Sequence, residues 1–211
     1  MKKYLEGTYF IDIEHPAIKT MASRIIQKGM SEQDIATGLF YAVRDSIRYT
    51  PLVEAYKRET NRVSRVIEQK QGYCVQKACV LVGLARYAGI PARLGLADIQ
   101  NHLLDGNLLE WMGTNIFTCH GYAEMFIEKK WVKATPAFNL ELCEKTGVAP
   151  VRFDGVNDAI LPDTDLRGRP YIEYLSYHGT FSDLPHTFIM KKWKEHYPLF
   201  KEILEQEIQG Q

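Results

Sequence analysis

The spacing of hydrophobic residues predicts helices in the first part of the chain. A first helix begins at Pro16, because the fixed φ of proline suits the first helical position, and it ends at Gly29, which readily adopts a left-handed conformation. Ser31 and Asp34 then have the spacing of a capping box. The helix that follows has an apolar face with a four-residue repeat and ends near Arg48, ahead of a proline.

The next helices are shorter or more apolar. A short helix covers about residues 61–70 and is broken by Gly72. The stretch from Cys74 to Ala88 is apolar on most of its faces, and Gly89 with Pro91 ends it. A helix with this composition is expected in the interior of a fold rather than on its surface.

The period then changes from helical to strand-like. Residues 92–99, 120–128 and 131–138 alternate as strands do, and Lys129-Lys130 is expected to join the last two as a tight hairpin. Residues 100–118 are interpreted as a loop or an excursion over the site. An aromatic-rich segment around residues 171–181 is expected to be another strand, and the end of the chain two helical pieces broken near Pro198. Helices followed by a largely antiparallel sheet predict an α+β fold.

Composition is compatible with one globular domain. The 211 residues are 45% hydrophobic, and 26 basic residues balance 26 acidic ones. This balance argues against a surface devoted to nucleic acid or to an anionic membrane. The first residues lack the apolar stretch of a secretory leader, so a cytoplasmic location is expected. Residues 1–211 are interpreted as a single domain, with a core at 16–139 and an extension at 140–211 packed on it.

The four cysteines are expected to be reduced. They are Cys74, Cys79, Cys119 and Cys143, and neither a disulfide framework nor CxxC zinc spacing is present. Buried packing is the expected role of Cys79, Cys119 and Cys143. Cys74 differs because it lies at the predicted start of the most apolar helix, where unpaired N–H groups and the helix dipole stabilise a thiolate and lower its pKa.

A nucleophilic thiol needs a base and a group that orients the base. His120 opens a predicted strand and is the candidate base for Cys74. Crossing the predicted hairpin brings Thr135 to the level of His120, so Thr135 is the candidate third member. Trp111 and Tyr49 are candidates for a substrate wall, although ordinary packing is preferred for both.

Three blocks of sequence resemble the core of the transglutaminase-like superfamily. They are a Gly-x-Cys helix ending in Gly-Ile-Pro-Ala-Arg, a His-x-x-x-Glu strand, and a Trp-Val strand ending before a proline. The matching positions are Gly72, Cys74, Ala78, Gly89, Ile90, Pro91, Arg93, His120, Glu124, Trp131, Val132 and Pro136. The stretch VRDSIRYTP (43–51) also resembles the end of the family's upstream helix.

The resemblance implies a papain-like fold in which a cysteine helix packs on an antiparallel sheet that carries the histidine. It also implies a Cys-His-Asp triad and acyl transfer through a thioester. Independently of the resemblance, we expect neither a cofactor nor a metal. Cys74 and His120 match the first two triad positions, whereas Thr135 stands where the family has Asp. A hydroxyl can hold an imidazole but carries no charge, so Asn139 and Asp154 are alternatives for this role. Glu124 is expected to pair with Arg93.

Three functional hypotheses follow. The first is a cysteine hydrolase or acyltransferase that acts on a peptide, protein or amide substrate, with peptidase or amidase activity preferred to protein cross-linking. The second is a weak or inactive binding module that recognises a protein partner. The third, metal binding by Cys74, His120 and Cys119, is disfavoured because side chains of adjacent strand residues diverge. The oligomeric state is left open.

Overall fold

A computed structural model of the chain describes residues 1–51 and 53–200 as an α+β fold, which confirms the predicted class. The helices are α1 (Pro16–Ser23), α2 (Glu32–Ser46), α3 (Val63–Gln69), α4 (Cys74–Tyr87), α5 (Gly106–Met112), α6 (Leu140–Thr146) and α7 (His186–His196). The strands are β1 (Arg48–Tyr49), β2 (Gln71–Gly72), β3 (Ala92–Asn101), β4 (Ile116–Ile127), β5 (Lys130–Ala134) and β6 (Ile172–Phe181). Short 3₁₀ turns lie at Lys2–Tyr4 and Glu59–Asn61.

The main sheet is antiparallel and has the strand order β5-β4-β3-β6. The central pair is β3 and β4, in which Arg93 lies opposite Glu124 and Ala97 lies opposite His120. The predicted Arg93–Glu124 ion pair is present, with Nε of Arg93 donating to Oε2 of Glu124 over 2.7 Å. This register carries His120 into the middle of the sheet.

Helix α4 is the central helix of the fold. It packs against α1, α2 and α3 as well as against β3 and β4, and every one of its residues except Tyr87 is buried. Its one buried lysine, Lys77, donates from Nζ to the carbonyl oxygens of Arg44 (2.9 Å) and Ile47 (2.5 Å) at the end of α2. These carbonyls lack partners within α2, so Lys77 joins the two helices while satisfying otherwise unpaired buried groups.

A small parallel sheet fixes the chain on the approach to α4. Strand β1 pairs with β2 so that Tyr49 lies opposite Gly72, and the N–H of Thr50 donates to the carbonyl of Gly72 over 3.1 Å. Because Gly72 lies two residues before Cys74, this pairing brings the β1 segment beside the start of α4.

Most predicted elements are present with shifted bounds. The Ser31–Asp34 capping box is confirmed, and α1 begins at Pro16 but ends at Ser23 rather than at Gly29. The β4–β5 hairpin turns one residue earlier than predicted, at Glu128 and Lys129, whose φ values are 46° and 69°. Residues 100–118 form an excursion that contains α5, whose residues Leu108 and Met112 line the same cavity as Cys74. The second helical piece predicted after Pro198 lies largely outside the described residues.

The segment after residue 140 contributes to the sheet and to the core. Strand β6, predicted from its aromatic residues, pairs with β3 along its whole length. Arg86 of α4 donates to the carbonyl of Ser182 over 2.7 Å, just after β6. In residues 1–51 and 53–200, no helix has both the length and the apolar character needed to cross a bilayer.

Candidate active site

Cys74 is the first residue of α4, and hydrogen bonds around the first turn of this helix fix its position. Tyr73 precedes the helix in an extended conformation, and its N–H donates to Oε1 of Gln76 over 3.3 Å. The Gln76 amide in turn donates to the carbonyl of Thr60 over 2.9 Å. These bonds lock the first turn of α4, and Cys74 is left with 6% of its surface exposed.

His120 is placed by an irregularity in β4. The pairing of β3 with β4 shifts register between Ala97, opposite His120, and Ile99, opposite Phe117. Within this bulge Cys119 has a φ of 61°, in the left-handed region that non-glycine residues rarely adopt. Although both residues line one cavity, Sγ of Cys119 clusters among the described residues with Asp98 and His178 rather than with His120, in keeping with the predicted divergence of Cys119 and His120.

Gly121 brings this part of β4 against the start of α4. A Cβ built on Gly121 would lie 2.5 Å from Cα of Val75 and 3.0 Å from its backbone nitrogen. No side chain fits into this space, so only glycine allows the strand and the helix to approach so closely. The contact places His120, the residue before Gly121, beside Cys74, the residue before Val75.

Cys74 and His120 share a cavity of about 290 Å³. Its lining comes from the start of α4, the bulge of β4, the segment after β1, and helices α5 and α7. The aromatic residues in the lining are Tyr49, Tyr56, Tyr73, Trp111, Phe117, Trp193, Tyr197 and Phe200. Tyr49 and Trp111, for which packing was preferred, thus lie in the wall of the cavity. The α7 side of this wall was not predicted, since the pattern of α7 alone does not indicate which element it covers.

Burial controls the charge state of both candidate catalytic groups. It raises the pKa of the Cys74 thiol to about 11, although the backbone N–H groups of Gly121, Val75 and Cys74 itself act in the opposite direction. Burial also lowers the pKa of the His120 imidazole to about 3. The prediction that the helix start lowers the pKa of Cys74 is therefore wrong in direction, because desolvation outweighs the helix N–H groups. At neutral pH both groups are uncharged.

Within the described residues, no hydrogen bond joins His120 to Thr135. Nε2 of His120 is buried without a hydrogen-bond partner, and Oγ1 of Thr135 is buried with only a weak hydrogen bond to the Tyr174 side chain. Thr135 is nevertheless held in place, because its N–H donates to the carbonyl of Ala159 over 2.8 Å. The ring of Tyr174 in β6 meets the His120 ring edge to face with centroids 6.2 Å apart.

The two alternatives for the third triad position, Asn139 and Asp154, make hydrogen bonds to other parts of the chain. Oδ1 of Asn139 accepts the N–H of Tyr49 over 3.1 Å. Asp154 is exposed and accepts the N–H groups of Val156 and Asn157 in a turn. Both side chains therefore serve local structure in this conformation, whereas Thr135 directly follows Ala134, the last residue of β5, which lies opposite Ala123.

A cluster of Asp98, Cys119 and His178 lies behind the bulge. Their potential ligand atoms are within 4.8 Å of one another, which is close enough for one metal ion to be considered. The Asp98 carboxylate, however, already accepts from Nε2 of His178 (2.7 Å), the N–H of Cys119 (2.9 Å) and Oγ of Ser176 (3.1 Å). These bonds hold the bulge in its conformation. The sequence signal for this cluster was a single carboxylate inside an otherwise apolar strand.

Comparison with known proteins gives a family and two structural neighbours. The profile of the transglutaminase-like superfamily matches residues 19–136. A proposed cysteine protease from Cytophaga hutchinsonii superposes with a TM-score of 0.49 and 12% identity, covering 84% of this chain and 53% of its own. A proposed protease from Parabacteroides distasonis superposes with a TM-score of 0.41 and 21% identity, covering 64% of this chain and 24% of its own. The chain thus spans about half of the first neighbour and a quarter of the second. The sequence matches no curated protein.

Proposed function

Because the chain belongs to the transglutaminase-like superfamily, we propose that it is a cysteine-dependent hydrolase or acyltransferase acting on a peptide or carboxamide carbonyl. The observation that carries this proposal is the shared cavity of Cys74 and His120, which are brought together from the start of α4 and from the bulge of β4. Hydrolysis is preferred to protein cross-linking.

The reaction begins from neutral groups. His120 accepts the proton of Cys74 as the sulfur attacks the substrate carbonyl, so the ion pair forms during the reaction instead of existing beforehand. The new C–S bond leaves a negative oxygen, and the N–H groups that face the sulfur are suited to receive it. These N–H groups belong to Gly121, Val75 and Cys74.

Collapse of this intermediate completes the acyl transfer. The C–N bond breaks, the amine leaves with the proton held by His120, and the acyl group remains on Cys74 as a thioester. Water or a second amine, deprotonated by His120, then attacks the thioester and releases the thiol. We propose that Thr135 orients His120, which requires Oγ1 to leave its weak contact with Tyr174 and meet the imidazole once substrate is bound, as catalytic hydrogen bonds tighten in such complexes.

Intact-protein mass spectrometry tests the proposal. Wild-type protein mixed with a panel of peptide and simple amide donors is expected to gain the mass of an acyl group. The Cys74→Ala variant is expected to gain nothing, and Cys143→Ala, which alters a buried cysteine on α6, is expected to behave as wild type. A mass gain that persists in Cys74→Ala would remove Cys74 from the nucleophile's role.

One observation favours a second candidate, a binding module without catalytic turnover. Nε2 of the His120 imidazole has no hydrogen-bond partner in the part of the chain that the structure describes, and burial raises the thiol pKa. If no donor acylates Cys74 while a partner protein binds equally well to wild type and to His120→Gln, this second function is the correct one.

A further inference from the structure

The cavity above Cys74 and His120 is walled almost entirely by aromatic and aliphatic side chains. We name it the aromatic chamber. Besides the eight aromatic residues given above, its described lining includes Leu108 and Met112 of α5, and Val53. The one charged residue in that described lining is Glu54, which is exposed and is paired with Lys57 over 2.6 Å.

The polar atoms of the α7 wall are already used within the protein. Nε1 of Trp193 donates to the carbonyl of Thr118 over 3.1 Å. The Tyr197 hydroxyl accepts the N–H of Thr118 over 2.7 Å and lies 3.3 Å from the carbonyl of Ile116. These bonds fix α7 to the β4 bulge and leave the carbon surfaces of the two rings as the part that faces the cavity.

The volume of the chamber limits what can enter. A cavity of about 290 Å³ holds roughly ten water molecules at about 30 Å³ each. That is room for one bulky side chain together with a reacting carbonyl, and it is too little for a folded segment of protein. A charged group placed there would lose hydration, and the mostly apolar wall offers few polar atoms to replace it.

We propose that the aromatic chamber is the acyl-binding subsite and that it selects donors whose carbonyl carries an uncharged, bulky apolar group, aromatic or branched aliphatic. This inference rests on the proposed function, because it assigns the acyl group held by Cys74. The acyl group is the part assigned to the chamber because it stays attached to Cys74 through both halves of the reaction, whereas the amine departs after the first.

The test uses four chloromethyl ketones that differ only in the group on the carbonyl: benzyl, isobutyl, methyl and carboxyethyl. In each case the Cys74 sulfur displaces chloride to form a thioether, and the thiol proton passes to solvent. Peptide mapping by mass spectrometry gives the rate of labelling at Cys74. We expect the benzyl and isobutyl probes to react at least tenfold faster than the methyl and carboxyethyl probes.

A pair of variants separates the chamber from the rest of the molecule. Leu108→Trp fills the chamber and is expected to slow the benzyl probe about tenfold while changing the rate with the methyl probe little. Leu140→Trp makes the same change at an exposed position on α6 and is expected to leave all four rates unchanged. Equal rates for the benzyl and methyl probes in wild type would overturn the selectivity while leaving the proposed function standing.

A binding measurement tests the chamber without catalysis. The Cys74→Ala variant is titrated with 4-phenylbutyramide and with butyramide in a calorimeter. Tighter binding of the phenyl compound, lost in Cys74→Ala combined with Leu108→Trp, supports the apolar subsite even if Cys74 proves unreactive in the wild type. Equal binding of the two amides would overturn it.

Discussion

Gly121 on β4 lies directly against the backbone of Val75 in the first turn of α4. A Cβ at Gly121 would be 2.5 Å from Cα of Val75, and backbone atoms cannot give way as a flexible side chain can. The candidate catalytic pair depends on this contact, because Cys74 and His120 each immediately precede one of the two residues.

Gly121→Ala is expected to separate the strand from the helix. We expect the free energy of unfolding to fall by about 1–3 kcal/mol, as for other overpacked interiors, and acylation of Cys74 to fall more than stability explains. Denaturant unfolding and the acylation assay measure the two effects. Gly83→Ala on α4 is the control, because the new Cβ would meet side-chain methyl groups at 3.2 and 3.4 Å, which can shift. Unchanged acylation in Gly121→Ala would contradict the importance of the contact.

Thr135→Val separates a catalytic from a structural role for the hydroxyl. The buried Oγ1 makes only a weak hydrogen bond, to the Tyr174 side chain, so its removal is expected to raise the free energy of unfolding by no more than about 1 kcal/mol. If Thr135 orients His120 during the reaction, kcat is expected to fall by about tenfold or more in the same variant. Thr135→Ser keeps the hydroxyl and should retain most of kcat. A variant that is more stable and fully active would exclude Thr135 from the mechanism.

His120 makes the stability of the fold depend on pH. Burial lowers its pKa to about 3 from the usual 6.5, so between these values the unfolded chain binds a proton that the folded protein does not. The full stability is present above pH 6.5, and it falls as the pH drops from 6.5 towards 3, by up to about 1.4 kcal/mol per pH unit.

Urea unfolding at pH 7 and at pH 5 measures this loss. His120→Gln removes the titrating group and is expected to lose less stability than wild type between the two pH values. His196→Gln, a change at an exposed position on α7, should follow wild type. Identical losses in all three proteins would mean that His120 is not held neutral in the fold.

Alkylation of Cys74 by iodoacetamide should report its raised pKa. With a pKa of about 11, the thiolate fraction rises about tenfold per pH unit between pH 7 and pH 10, and the labelling rate should rise with it. Cys74 should still react before Cys79, since Cys79 lies outside the cavity and its pKa is raised further by burial. A rate that is constant from pH 5 upward would instead indicate a preformed thiolate–imidazolium pair.

The features set by neighbouring residues were predictable from the sequence, and those set by distant contacts were not. The capping box of Ser31 and Asp34 and the buried helix that begins at Cys74 depend on short-range patterns, and both are present. The left-handed conformation of Cys119 is associated with a hydrogen bond to Asp98, 21 residues away in the chain, and it lies at a register shift of β4 that no short-range pattern indicates.

The charge state of Cys74 illustrates the same limit. A helix start is visible in sequence, and its N–H groups do act to lower the thiol pKa. The opposing effect is desolvation inside a cavity whose far wall, including Trp193 and Tyr197, comes from α7 more than one hundred residues later. No local sequence pattern indicates that α7 covers Cys74, so the direction of the thiol pKa shift could be determined only from the fold.

The pairing of β6 with β3 has a consequence for handling this protein. The family profile ends at residue 136, whereas β6 covers the outer side of β3 and α7 closes the chamber. A fragment trimmed to the profile would expose a ten-residue strand with unsatisfied backbone groups, which is a template for aggregation. Grafting this site onto another scaffold therefore means transplanting the C-terminal strand and helix along with the cysteine and the histidine.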